Sequence, residues 1–198
     1  MTNPDERDNG AGGKDPLEPA LEELRARLAA DLAAVLGAVA SLSQAQADWR
    51  PAPDRWTVGE VLHHIVLSNR SFARVVGKLV EVGRREGPTV PPKGRRSWPR
   101  LRSFADASAS GPVKNPDRVT PSHGLPIEQL KRDLVESHHA VVEQIPALST
   151  LEMAELRFPH PLGFELNLYH WVDIAGAHEH RHLAQIQAVM AAPGFPLA

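Results

Sequence analysis

The chain has 198 residues, enough for one domain with a core of its own. Its 22 Lys and Arg against 24 Asp and Glu create no overall field that would select nucleic acid, and the balance is not that of an acidic disordered protein. Cysteine is absent, which excludes disulfides, thiolate metal sites and a cysteine nucleophile, so any bound metal must rest on nitrogen and oxygen.

Residues 1–16 are polar and aperiodic, too poor in apolar side chains to offset the entropy of ordering, and are expected to form a disordered tail. From Pro19 to Ser43 the residues Leu21, Leu24, Leu28, Leu32, Val35, Val39 and Leu42 recur at spacings of three and four, one stripe of a first amphipathic helix. Gln44 to Trp56 reads as a loop. Thr57 and Glu60 then stand at the spacing of a capping box, with Trp56 and Val61 placed for a hydrophobic staple. The stripe Val58, Val61, Ile65, Phe72, Val76 and Leu79 carries this second helix to about Gly83.

Periodicity disappears over residues 84–122, where seven prolines interrupt a segment with nine basic residues and three acids. A long Pro/Arg-rich, mobile connection is expected there, its local charge of +6 leaving −8 for the remainder. A third helix follows from Pro126 to Pro146, with Ile127, Leu130, Leu134, Val141 and Ile145 on one face. After the turn-like His160-Pro-Leu-Gly163, the residues Leu168, Trp171, Ile174, Ala175, Ile186 and Val189 mark a fourth helix ending before Pro193-Gly194. No run alternates as a strand does. The expected fold is all-α, a four-helix bundle over residues 17–192. The longest apolar stretch, Leu32 to Ala40, falls far short of the roughly 20 residues that span a bilayer, and no secretion signal is evident, so a soluble cytoplasmic protein without a membrane partner is expected.

The ten histidines are the unusual count, and a helical wheel at about 100° per residue separates those facing the core from those facing water. On the fourth helix His178 and His182 fall within about 40° of each other in the centre of the apolar stripe, and His180 lies opposite, in solvent. Residues four apart put both rings on one side, within reach of one ion. On the second helix His64 can turn inward, whereas His63 lies almost opposite the stripe. His138 falls within the stripe of the third helix. Two imidazoles packed side by side in a core would each need an acceptor, and protonating either would bury a charge. A shared cation removes both problems, with His64 as third ligand. His138 by itself is also compatible with a core histidine satisfied by hydrogen bonds.

His178-Glu-His-Arg-His182 matches the H-E-x-x-H helix of zinc peptidases, but the context fails: residues 183–198 hold no His, Asp or Glu that could act as a downstream ligand. Glu179, about 100° from His178, is expected at the edge of the site, either at the surface or behind the ligands. The stretch Arg95 to Arg102 surrounds Trp98 with basic residues, yet one aromatic in a near-neutral chain argues against nucleic acid.

With Trp56-Thr-Val-Gly-Glu-Val-Leu-His-His64 opening one helix, and His160-Pro-x-Gly163, Trp171, His178-Glu-x-Arg-His182 and Gln185-Ile following in order, the chain resembles the DinB-like family over nearly all of Leu17 to Met190. The resemblance implies a four-helix bundle of DinB/YfiT type with a divalent metal held by His64, His178 and His182. Family members are often homodimeric. Those of known chemistry include transferases that use small cellular thiols and a thiol-dependent isomerase, and others are described as metal-dependent hydrolases.

Three protein ligands leave a fourth position for water or a thiol, which the ion can turn into a nucleophile at neutral pH. The expected function is therefore metal-dependent S-transfer from a low-molecular-weight thiol to a small electrophile, or hydrolysis of a small substrate. A non-catalytic metal-binding stress-response protein is the alternative. His138, Gln185, Trp171 and Glu179 are candidates for the pocket or for support of the ligands. Three imidazoles do not distinguish Zn, Ni or Fe. Because only neutral imidazole ligates, binding is expected to weaken as pH falls through the histidine range near 6.5.

Overall fold

A computed structural model describes residues 17–86, 116–150, 157–160 and 165–197. The expected tail over residues 1–16, most of the proline-rich connection, the basic stretch Arg95 to Arg102, and Pro161 to Gly163 of the turn motif lie outside the described residues. Among the described residues the fold is all-α apart from a two-stranded sheet. In chain order the elements are α1 (Leu17–Val39), α2 (Gln44–Asp48), α3 (Val58–Glu86), a 3₁₀ turn (Asp117–Val119), α4 (Ile127–Val142), α5 (Ile145–Thr150), β1 (Arg157–Pro159), β2 (Glu165–Asn167) and α6 (Leu168–Met190). The four long helices close into a ring: α3 packs on α4 and α6, and α1 packs on α6 and α4. Among the described residues no helix is long and apolar enough to cross a membrane.

The start of α3 follows from its first turn. Glu60 N–H donates to Thr57 Oγ1 at 3.1 Å, and the Glu60 carboxylate accepts Thr57 N–H at 2.8 Å, the reciprocal bonds of a capping box. Arg50 adds a 2.6 Å ion pair to the same carboxylate. Burial opposes ionisation of Glu60, but the hydrogen bonds from Arg50 and Thr57 outweigh it and hold the carboxyl below its usual range. Trp56 packs in the same apolar cluster as Val61, as a staple requires.

Three regions differ from the sequence reading. The segment read as a loop contains α2, whose own capping box, Ser43 with Gln46, is present; five residues are too few to show a helical period. The short helix also organises its neighbours, since Gln44 Oε1 accepts the Ile127 N–H at 2.8 Å and so satisfies a free donor at the start of α4. The third helix stops at Val142 and α5 takes over, because Pro146 has no N–H to continue the ladder and its ring would strike the Val142 carbonyl. Strands β1 and β2 pair antiparallel, with Phe158 opposite Leu166; three residues each, they are too short to alternate visibly. β2 runs directly into α6, which Asn167 caps by accepting the His170 N–H at 3.0 Å.

The core is divided. One apolar cluster contains Leu21, Leu24, Leu28, Phe72, Val76, Val141, Trp171 and Ala175, and the other contains Val35, Val39, Val61, Ile65, Leu130, Leu134, Ile186 and Val189. Each helix of the ring passes from one cluster to the other, and a buried polar layer occupies the changeover: Ser68 and Asn69 on α3, Ser137 and His138 on α4, His178, Glu179 and His182 on α6. Each large aliphatic side chain in the clusters contributes about 1.5–3 kcal/mol by burial, so the bundle can tolerate a polar layer whose members are in part hydrogen-bonded to one another. α1 packs tightly on α6 at Gly176, where an added Cβ would lie 2.9 Å from Leu28 Cδ2 and Asp31 Oδ2. Phe195, beyond α6, stacks edge-on against Trp49 at 5.5 Å between centroids.

Candidate metal centre

His64, His178 and His182 converge in the polar layer, all three buried. His64 Nε2 lies 3.2 Å from His178 Nε2, and His182 Nε2 lies 3.1 Å from the same atom. Two nitrogens bound to one ion at about 2.05 Å stand about 3.3 Å apart at a tetrahedral angle and about 2.9 Å apart at a right angle. The observed separations lie between these limits. The wheel prediction that His63 and His180 point elsewhere agrees with the geometry: His180 is exposed and faces Asp31 at 3.5 Å, and His63 is half-buried against Ser122.

The outer nitrogens decide which atoms face the centre. His64 Nδ1 lies 2.8 Å from the Val119 carbonyl oxygen, which can only accept, so Nδ1 carries the proton and Nε2 the lone pair. His182 Nδ1 donates in the same way to Gln185 Oε1 at 2.8 Å, again leaving a lone pair on Nε2. Both lone pairs are directed at His178 Nε2, which can give a proton to one of them but not to both. At least one of the two short contacts therefore brings two lone pairs together unless a cation lies between them. This donor set, three neutral imidazoles of which two have their tautomers fixed, fits a divalent ion.

The electrostatics work in the same direction. Burial, with the neighbouring His182 and His64, holds His178 well below the ordinary imidazole value. Burial and His64 push His182 down to about 3, against the opposing effect of the Gln185 bond. Burial also lowers His64. All three rings are thereby held in the neutral, ligating form below the ordinary imidazole range, His178 and His182 the most strongly.

Around the triad the wall is aromatic. Trp56 lies 4.9 Å from the His64 ring, and Phe72 meets His178 edge-on at 5.6 Å. Trp171 packs on Phe72 at 5.9 Å and on His160 at 5.3 Å, and its indole N–H has no hydrogen-bond partner among the described residues. Burial, then Arg118, push His160 down to about 4.

Of the supporting candidates, Gln185 touches a ring of the triad directly and Trp171 forms part of the wall. Glu179 is completely buried, so its surface alternative does not hold. Its Oε1 accepts from Asn69 Nδ2 at 2.6 Å and from His138 Nδ1 at 3.0 Å. The wheel's 100° offset aims Glu179 between α3 and α4, where His138 and Asn69 receive it. His138 is thus a core histidine held by a carboxylate. Asn69 and the Val119 carbonyl are supports that the sequence reading missed: Asn69 had only its position five residues after His64 as a signal, and a backbone carbonyl has none.

The sequence model of the DinB superfamily matches residues 27–186. The chain belongs to the DinB superfamily. The span of the DinB match includes all three inward histidines. Over 149 residues, 75% of this chain and 85% of the relative, the sequence is 27% identical to the uncharacterized protein YuaE of Bacillus subtilis strain 168. No solved structure matches it.

Proposed function

We propose that this DinB-superfamily protein is a metal-dependent enzyme in which His64, His178 and His182 hold a divalent cation, acting on a small electrophile by thiol transfer or on a small substrate by hydrolysis. The observation that carries this reading is the pair of fixed tautomers, which turns two imidazole lone pairs toward a third nitrogen at 3.1–3.2 Å. When bound, a cation with three protein ligands keeps a vertex for water or a thiol and makes either nucleophilic near neutral pH.

The chain's own residues then have distinct tasks. Val119 O and Gln185 Oε1 orient the rings of His64 and His182, and Glu179 holds the core helix face from behind. Trp56, Phe72 and Trp171 exclude water and present an apolar wall to the substrate. The lack of cysteine suits a thiol supplied as co-substrate, and a cytoplasmic setting would keep such a thiol reduced. A homodimer accompanies this reading.

The test is metal analysis of the purified protein, followed by turnover of an electrophile panel by the zinc-, nickel- and iron-loaded forms with and without a low-molecular-weight thiol. One ion per chain, lost in His64→Ala, His178→Ala and His182→Ala, is expected. Turnover that requires the thiol selects transfer, and turnover without it selects hydrolysis. No turnover with any panel member would replace the enzyme by a metal-binding protein, and full ion occupancy in the alanine variants would remove the site.

A further inference from the structure

Adjacent residues at the start of α3 grip one stretch of backbone. His64 Nδ1 donates to Val119 O at 2.8 Å, and His63 Nδ1 accepts the Ser122 N–H at 2.8 Å. The two bonds run in opposite senses, one from helix to strap and one from strap to helix, and meet the strap three residues apart. A segment held at two such points can neither slide along α3 nor turn its carbonyl away. Among the described residues the strap has few other anchors. Val119 is buried, and the 3₁₀ turn closes on itself through Val119 N–H to Pro116 O at 3.0 Å. Past Ser122, His123 Nδ1 lies 3.4 Å from Arg50 Nη2, at an exposed position. Immediately before the strap lie the proline-rich residues of the long connection.

We propose that His63, on the far side of α3 from the three inward imidazoles, is a positioning residue for His64: by anchoring Ser122 it keeps the Val119 carbonyl on His64 Nδ1. This rests on His64 being a metal ligand. The carbonyl is the group that fixes the His64 tautomer, so a strap that drifts by a few tenths of an ångström weakens the bond that keeps the Nε2 lone pair turned inward. His63 acts only as an acceptor here, through an unprotonated Nδ1. An asparagine at this position can present its side-chain oxygen in place of the ring nitrogen, and a leucine cannot.

The test uses the full chain at pH 7.5. Zinc affinity is measured by competition with a chromophoric chelator, imidazole ¹⁵N shifts report the His64 tautomer in the metal-free protein, and helical circular dichroism reports the fold. His63→Leu is expected to weaken zinc binding about 3- to 10-fold, less than the 10- to 100-fold typical when a ligand's own partner is removed, and to populate the other His64 tautomer with the helical signal unchanged. His63→Asn is expected to restore both. Zinc affinity unchanged in His63→Leu, an Asn variant as weak as the Leu variant, or loss of the helical signal in either would each overturn the proposal. A wild type that takes up no zinc would sink the metal reading together with this one. A wild type that binds zinc, loses it on His64→Ala and is indifferent to His63→Leu would sink this inference alone.

Discussion

Glu179→Ala is the perturbation whose cost the structure defines best. The carboxylate is fully buried and takes a 2.6 Å bond from Asn69 and a 3.0 Å bond from His138, from two helices other than its own. Hydrogen bonds to a charged group are worth about 1.5–3 kcal/mol each, and removing the acceptor strands the Asn69 amide and the His138 N–H in a layer closed to water. A loss of about 3–5 kcal/mol follows, the range seen when one partner of a buried polar pair is deleted, equivalent to roughly 8–15 °C in Tm for a chain of this size. Glu179→Gln should cost less, about 1–2 kcal/mol, because one oxygen still accepts while the new amide N–H faces His138. Urea unfolding of the metal-free protein, analysed by linear extrapolation, measures these values. Combined with His138→Ala, Glu179→Ala should be markedly non-additive, with a coupling of about 1.5–3 kcal/mol. Additive costs, or a Glu179→Ala loss below about 1 kcal/mol, would refute the account of the polar layer.

Two further outcomes are expected. Because His64, His178 and His182 have lowered values in the folded protein, His182 at about 3, the unfolded chain binds more protons below pH 6.5. Metal-free stability should therefore be full above that value and be lost as pH falls from 6.5 toward 3, by up to about 1.4 kcal/mol per unit for each ring, whereas the loaded protein should keep its ion at pH 5. The structure thus moves the proton competition expected near 6.5 to lower pH; acid titration of both forms by circular dichroism with metal analysis checks it, and ion release centred near 6.5 would contradict it. Replacing Gln185 by Leu removes the acceptor from His182 Nδ1 and should weaken zinc binding about 10- to 100-fold in chelator competition with the fold retained.

Much of this site was legible in the amino-acid order because helical periodicity is a local property. Positions 178 and 182 must share a face, 180 must oppose them, and position 64 rather than 63 can approach them, whatever the helices pack against. The capping box at Thr57 and Glu60 and the position of Pro126 likewise follow from chemistry within a few residues, and the DinB resemblance rests on the same short motifs. What a residue touches on another helix is not local. That Glu179 turns to Asn69 and His138, that the Val119 carbonyl sets the tautomer of a ring 55 positions earlier in the chain, and that His63 serves the strap are results of packing, in which one wheel angle is compatible with water, a ligand or a neighbouring helix. The chain order determined which imidazoles could meet; only the assembled ring of helices decided which nitrogen of each carries the lone pair, because that choice is made by acceptors brought in from distant sequence.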